Sequence, residues 1–167
     1  MFGKMKLDNL RALYLDELKD AYDFEHQILD GLPKMEKAAT AEELKAAFRE
    51  HRGETERQVG RLEQIFQGLG ERADRKTCKG MKGLIAEAEE YIKARGDDDT
   101  RDASLIAAAQ RIEHYEIAVY GTLKAYARVL GHQEQVRLLQ QTLDEESKAD
   151  RKLTELAEKG INVSAVA

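Results

Sequence analysis

Glu113 and Glu116 stand one helical turn apart in the middle of an apolar stripe. The stripe is Ile106, Ala109, Ile112, Tyr120, Leu123, Ala127 and Leu130, and its three-and-four spacing turns one face of an α-helix towards a core. An ionised carboxylate is very costly to bury alone, so both must be protonated, paired or bound to a cation. Two of them at i and i+3 converge on one point. The other helical segments place more carboxylates and a histidine in the same kind of position, which makes a cation the leading explanation.

The spacing predicts four long helices. The first covers about 7–32, with the stripe Leu7, Tyr14, Leu18, Ala21, Glu25, Ile28, Leu29 and Leu32, and ends near Gly31 and Pro33. Thr40 and Glu43 read as a capping box that opens a second helix reaching Phe66. Its buried face is Leu44, Phe48, His51, Thr55, Val59, Leu62 and Phe66. Gly68 and Gly70 stop it. Residues 70–103 are rich in Gly, Asp, Arg and Lys, with a short helical pattern over 84–92, and suit a crossover to the far end of a bundle. The Asp97–Asp98–Asp99 run lacks the alternating oxygen ligands of a calcium loop and reads as a solvated turn. A third helix covers about 101–130 and a fourth about 134–159, the latter striped by Leu139, Thr142, Glu146, Ala149, Leu153 and Leu156 and closed by Gly160. Four helices with one long middle connection make an all-α, ferritin-like four-helix bundle, first paired with second and third with fourth, in a single domain over 1–167. A faint repeat agrees: Leu18, Ala21, Phe24, Glu25 and His26 match Ile106, Ala109, Ile112, Glu113 and His114.

Bulk properties narrow the function. A net charge of −5 argues against a nucleic-acid surface, which needs a concentrated basic patch. No apolar run approaches a membrane span, and the start MFGKMKLDNL lacks a secretory signal's hydrophobic stretch, so a cytoplasmic protein is expected. The one cysteine, Cys78, can make neither an internal disulfide nor a thiolate cage, and reads as an ordinary thiol near a loop. The four methionines lie near helix ends or in connections, where none is placed as a haem ligand.

On helical wheels at about 100° per residue, Glu25, His51, Glu113, Glu116 and Glu146 fall near their stripe centres, with Glu54 and Asp150 at the margins. Carboxylate oxygen with some imidazole nitrogen suits Fe²⁺ and Mn²⁺. Two-metal bundles take one Glu from each of two helices and a Glu-x-x-His pair from each of the others. Glu25 suits a single-Glu role, while His51 and Glu54 supply the right types in reversed order. His26 and His114 point off the stripes and read as surface residues. Tyr14, Tyr22 and Tyr120 read as packing, with the Tyr120 hydroxyl within reach of a ligand carboxylate.

The stretches from Glu17 to Gln27, Ala46 to Gln58, Ala107 to Leu123 (AAAQRIEHYEIAVYGTL) and Gln141 to Asp150 (QTLDEESKAD) resemble the bacterial ferritin-like stress-protein family typified by YciF and YciE. The resemblance covers nearly the whole chain. It implies a ferritin-like bundle with a fifth, connecting helix, a relation to rubrerythrin, homodimers and a stress-linked role. It carries the family's carboxylate and histidine positions onto Glu25, His51, Glu54, Glu113, Glu116 and Glu146. Ala149 stands where a Glu-x-x-His pair from Glu146 would place its histidine, so a two-metal site and a single-metal site both stay open. The expected function is binding of iron or manganese, with oxidase- or peroxidase-like chemistry of the metal as the enzymatic form. The alternative is a non-enzymatic helical stress protein whose inner acids are protonated. Leu13, Leu15 and Phe24, off the first stripe, call for a dimer partner or the connecting helix to cover them.

Overall fold

The computed structural model describes residues 8–166. The first helix, α1, is Leu10–Ala38, started by the Asn9 side chain, which accepts a hydrogen bond from the Ala12 N–H at 2.9 Å. The expected start at Leu7 lies outside the described residues. The others are α2 Glu42–Gly68, α3 Lys79–Lys93, α4 Asp98–Val129 and α5 Gln133–Leu156. A π-helical turn, Ala157–Ile161, and a single α turn, α6 Asn162–Ser164, finish the chain. No strand occurs among the described residues. The four long helices form the bundle, with α1 packed most closely on α2 and α4 on α5.

Three boundaries differ from the sequence expectation. Pro33 does not end α1, which continues to Ala38. An interior proline costs roughly 3 kcal/mol through its missing N–H and its clash with the preceding turn. The turns on either side of it bury Leu32 and Met35, each worth about 1.5–3 kcal/mol, so burial wins. The capping box at Thr40 and Glu43 does not form: the N-cap is Ala41, with no side-chain cap. Instead the buried carboxylate of Asp102, from α4, accepts the Thr40 N–H at 2.8 Å and the Ala41 N–H at 2.7 Å. At the C-terminus, Gly160 does not close the last helix, because the wider π turn carries the chain past it with Ala157 buried and Ile161 packed on the core. Asp97 caps α4 by accepting the Thr100 N–H, and Asp98 and Asp99 fill its first turn, where negative charge suits the helix dipole. Gly70 and Gly131, with φ of +68° and +80°, take the left-handed positions after α2 and α4.

The crossover lies across α1 and α4, with Met81 of α3 fully buried. It is tied down by Asp23 of α1, whose buried carboxylate accepts hydrogen bonds from the Cys78 N–H (2.8 Å), Gln27 (2.6 Å) and Arg75 (2.9 Å). Desolvation opposes the charge on Asp23, but these donors outweigh it and hold its carboxyl below the usual range. Cys78 is buried, its sulfur capping α3 and lying 3.2 Å from the Tyr115 hydroxyl. Phe24, off the first stripe, is fully buried against the ring edges of Tyr115 and Tyr120, so it is covered within the chain. No helix among the described residues is long and apolar enough to cross a membrane.

Candidate metal centre

Halfway along the bundle the four long helices turn polar side chains towards one another. His51 of α2, Glu113 and Glu116 of α4 and Glu146 of α5 are all buried, each offering a ligand atom within 4.8 Å of the others. His51 Nε2 lies 3.3 Å from Glu113 Oε1 and 3.8 Å from Glu146 Oε2. Each arrives by the stripe logic that buries Phe48, Ile112, Tyr120 and Leu139 on the same faces.

The remaining candidates sit around this set. Glu25 of α1 is fully buried, and its Oε1 accepts a short hydrogen bond from the Tyr120 hydroxyl. Glu54 stands behind the imidazole: one oxygen is 3.4 Å from His51 Nδ1, the other 3.9 Å from the Lys148 ammonium. With Nδ1 facing that carboxylate, Nε2 is the nitrogen turned into the cluster, the arrangement that orients metal-bound histidines. Asp150 is half-buried and turned aside, accepting from Gln110 at 3.1 Å and facing the exposed His114 at 3.3 Å. His26, its Nδ1 2.7 Å from the Tyr22 carbonyl, lies outside the cluster too.

Gln58 escaped the sequence reading. It is fully buried, where the wheel had put Val59 on the stripe, and Val59 is half-buried. Its amide donates a short hydrogen bond to Glu146 Oε1 and another, of 3.1 Å, to Glu145. Arg61 then grips Glu145 through two bonds of 2.7 Å. The signal was present, since residue 58 is seven beyond His51, but adjacent positions near a stripe edge are not resolved by a wheel.

Burial dominates the electrostatics. Desolvation, reinforced by the neighbouring acids, pushes Glu25, Glu116 and Glu146 well above the usual carboxylate range. Glu113 is pushed up to about 8, mainly by burial. For His51 burial opposes the charge, but Glu54, Glu146 and Glu25 outweigh it and raise its pKa. Seven buried polar atoms find no hydrogen-bond partner among the described residues: Glu25 Oε2, His51 Nε2, Gln58 Oε1, Glu113 Oε2, both oxygens of Glu116, and Glu146 Oε2. Buried polar atoms are nearly always satisfied, so this concentration in one place asks for a positive charge. The donor set, one imidazole nitrogen with carboxylate oxygens, fits Fe²⁺ or Mn²⁺. Four carboxylates, on Glu25, Glu113, Glu116 and Glu146, match the charge of two divalent ions, while Ala149 leaves only one histidine beside them.

Comparison with known proteins places the chain in a family. Residues 9–166 match a family described as a domain of unknown function, DUF892. The chain belongs to the DUF892 family. It is 40% identical over 162 residues to Protein YciF of Escherichia coli strain K12, covering 96% of this chain and 98% of that protein. The crystal structure of the E. coli stress protein YciF superposes with a TM-score of 0.90, covering 93% of this chain and 99% of that one. YcfI from Rhodopseudomonas palustris, 41% identical, gives 0.88 over 92% of this chain and 98% of that one. A Xanthomonas campestris protein at 24% identity shares the fold, with a TM-score of 0.76 over 93% and 95% of the two chains. The resemblance read from the motifs is thus that of a DUF892 member to YciF.

Proposed function

We propose that this DUF892 protein binds iron or manganese in the bundle core, as a cytoplasmic, dimeric stress protein. The observation that carries the reading is the convergence of four buried ligand groups within 4.8 Å, ringed by polar atoms that lack partners. His51, Glu113, Glu116 and Glu146 would hold the ion or ions, with Glu25 and its Tyr120 partner beside them. Glu54 serves by orienting His51 rather than as an inner ligand, and Gln58 by fixing Glu146. A bound iron would supply one-electron redox chemistry with oxygen or peroxide, which is the enzymatic form of the proposal. The chain itself supplies fixed donors, a dry surrounding and a hydroxyl at Glu25. The stress role rests on the kinship with YciF.

A second reading has its own support: burial pushes the Glu113 carboxyl up to about 8, which favours a cluster that keeps its protons without metal. The bundle would then be a metal-free helical stress protein. Metal analysis after purification without chelator, and again after anaerobic Fe²⁺ loading, separates the two. The metal reading expects at least one transition metal per chain and a melting temperature that rises with metal. Metal far below one per chain after loading, with an unchanged melting temperature, would leave only the protonated cluster.

A further inference from the structure

A pocket runs inward from the surface between α2 and α5 and ends at the cluster, with His51, Glu54 and Glu113 among its inner lining. Its walls are apolar, formed by Ile28, Leu32, Phe48, Ile112 and Leu153. Its rim carries Glu50, Lys148 and Lys152. Each lysine has an acid partner: Lys152 pairs with Glu50 at short range, and Lys148 lies 3.7 Å from Glu50 and 3.9 Å from Glu54. Nothing at the rim is left to hold an anion. The pocket exists because small residues line it, Gly31, Ala47, Ala109 and Ala149. Ala149 is the position where a second histidine would otherwise project.

Size and polarity select the occupant. The cavity volume is about 40 Å³. One water needs roughly 10–15 Å³ on this measure, so the space takes a molecule of two or three heavy atoms and no organic substrate. Between the charged rim and the polar inner end the apolar walls offer no hydrogen bonds, and a hydroxyl left unpaired while passing them costs about 1–3 kcal/mol. That disfavours hydrogen peroxide, with two hydroxyls, and favours an apolar diatomic.

We propose that this pocket is the entry for dioxygen to the centre, kept open by Ala149. The inference rests on the metal reading, and its test separates the two. Xenon, an apolar probe of similar size, is applied first to the metal-free protein under pressure, in crystals or by ¹²⁹Xe NMR. Xenon is expected between Phe48, Ile112 and Leu153, and lost in Ala149→Leu, a change that favours the helix less than alanine by only a few tenths of a kcal/mol. Ala109→Val narrows the opposite wall and serves as the second variant. Wild type and variants are then loaded with Fe²⁺, their affinity is measured by equilibrium dialysis, and Fe²⁺ loss is timed after mixing with dioxygen or with hydrogen peroxide. Expected is unchanged Fe²⁺ affinity with a roughly tenfold or greater slowing by dioxygen, because entry must then wait for local opening. Absence of xenon from the wild-type pocket overturns the proposal. So does iron binding with an unslowed dioxygen reaction in both variants. Slowing of the peroxide reaction alone overturns the choice of dioxygen. No iron binding at all overturns the metal reading, and the entry role with it, whatever xenon does.

Discussion

Glu116→Gln keeps the shape and hydrogen-bonding capacity of the side chain while removing one negative charge. In the metal-free protein burial and the neighbouring Glu146, Glu25 and Glu113 disfavour the charged form of Glu116, and a neutral amide removes the cost of holding its proton, so the fold should be unharmed or slightly more stable. If metal binds here, the metal-induced rise in melting temperature should shrink sharply in Glu113→Gln and Glu116→Gln. Differential scanning calorimetry with and without Mn²⁺ measures it, and equal rises in wild type and both variants would remove these residues from the site. Tyr120→Phe deletes the donor to Glu25 and leaves Oε1 as bare as Oε2 already is. About 1–3 kcal/mol of metal-free stability should go with it, read from denaturant midpoints at unchanged slope. The buried acids and His51 were legible in the sequence because charge on an apolar stripe has few explanations. Gln58 was not, since a neutral amide there raises no electrostatic alarm and its partners, Glu145 and Glu146, come from a helix almost ninety residues away. The bond that sets Glu54 behind His51 rather than in the cluster is likewise a matter of side-chain direction, which stripe position does not give.

Asp102 shows how a helix end can be satisfied from outside its own segment. It is nearly fully buried and caps backbone donors at the start of α2 from sixty residues away. Asp102→Ala should cost about 1–2 kcal/mol, the usual value of a lost cap, and lower the melting temperature by roughly 2–8 °C in a chain of this size. Thr40→Ala should change little, because Thr40 is exposed and its side chain caps nothing. If Thr40→Ala proves as damaging as Asp102→Ala, the cap is local after all. Local sequence rules pointed to Thr40 and Glu43 because they see only a few residues at a time. They placed the end of α1 at Pro33 for the same reason, blind to the burial of Met35 that carries the helix onward. Where a signal is local and strong, as with the glycines after α2 and α4, sequence and structure agree.

Across the whole molecule, the raised acids set the response to pH. Below the ordinary value of 4.5, Glu113 is protonated in both folded and unfolded chains. Above it the unfolded chain releases the proton while the folded chain holds on until about 8, so metal-free stability should fall as pH rises through that window. Glu25, Glu116 and Glu146 act in the same sense. The raised pKa of His51 does too, because its stabilisation is lost as pH climbs past the folded value. Melting temperatures in EDTA should therefore decline from pH 5 to 8, and Mn²⁺ should flatten or reverse the decline by displacing those protons. A flat profile in EDTA would mean that the acids are ionised and solvated. The bundle itself was legible because four amphipathic stripes with one long gap allow few packings. The lie of α3 across α1 and α4 was not, since a short helix in a charged crossover shows no face long enough to aim. Tyr115 and Tyr120 of α4 cover Phe24 and remove it as a reason for a partner, while Leu13 and Leu15 stay half-buried, so the dimer remains a proposal. Sedimentation over a wide concentration range tests it, and a constant monomer mass would end it.

The closest packing joins α1 to α2 and α4 to α5, so the acid cluster lies on the seam between two helical hairpins. Each hairpin is stitched by contacts near in sequence and has reason to form early. Their docking must then dehydrate His51 and Glu25 from one side against Glu113, Glu116 and Glu146 from the other. Docking should then be the slow step, and a proton, or a metal ion if one binds, should speed it by neutralising the seam. Stopped-flow refolding in EDTA should slow as pH rises, with a phase that Mn²⁺ shortens. A refolding rate indifferent to both would place the closure of the seam after the barrier.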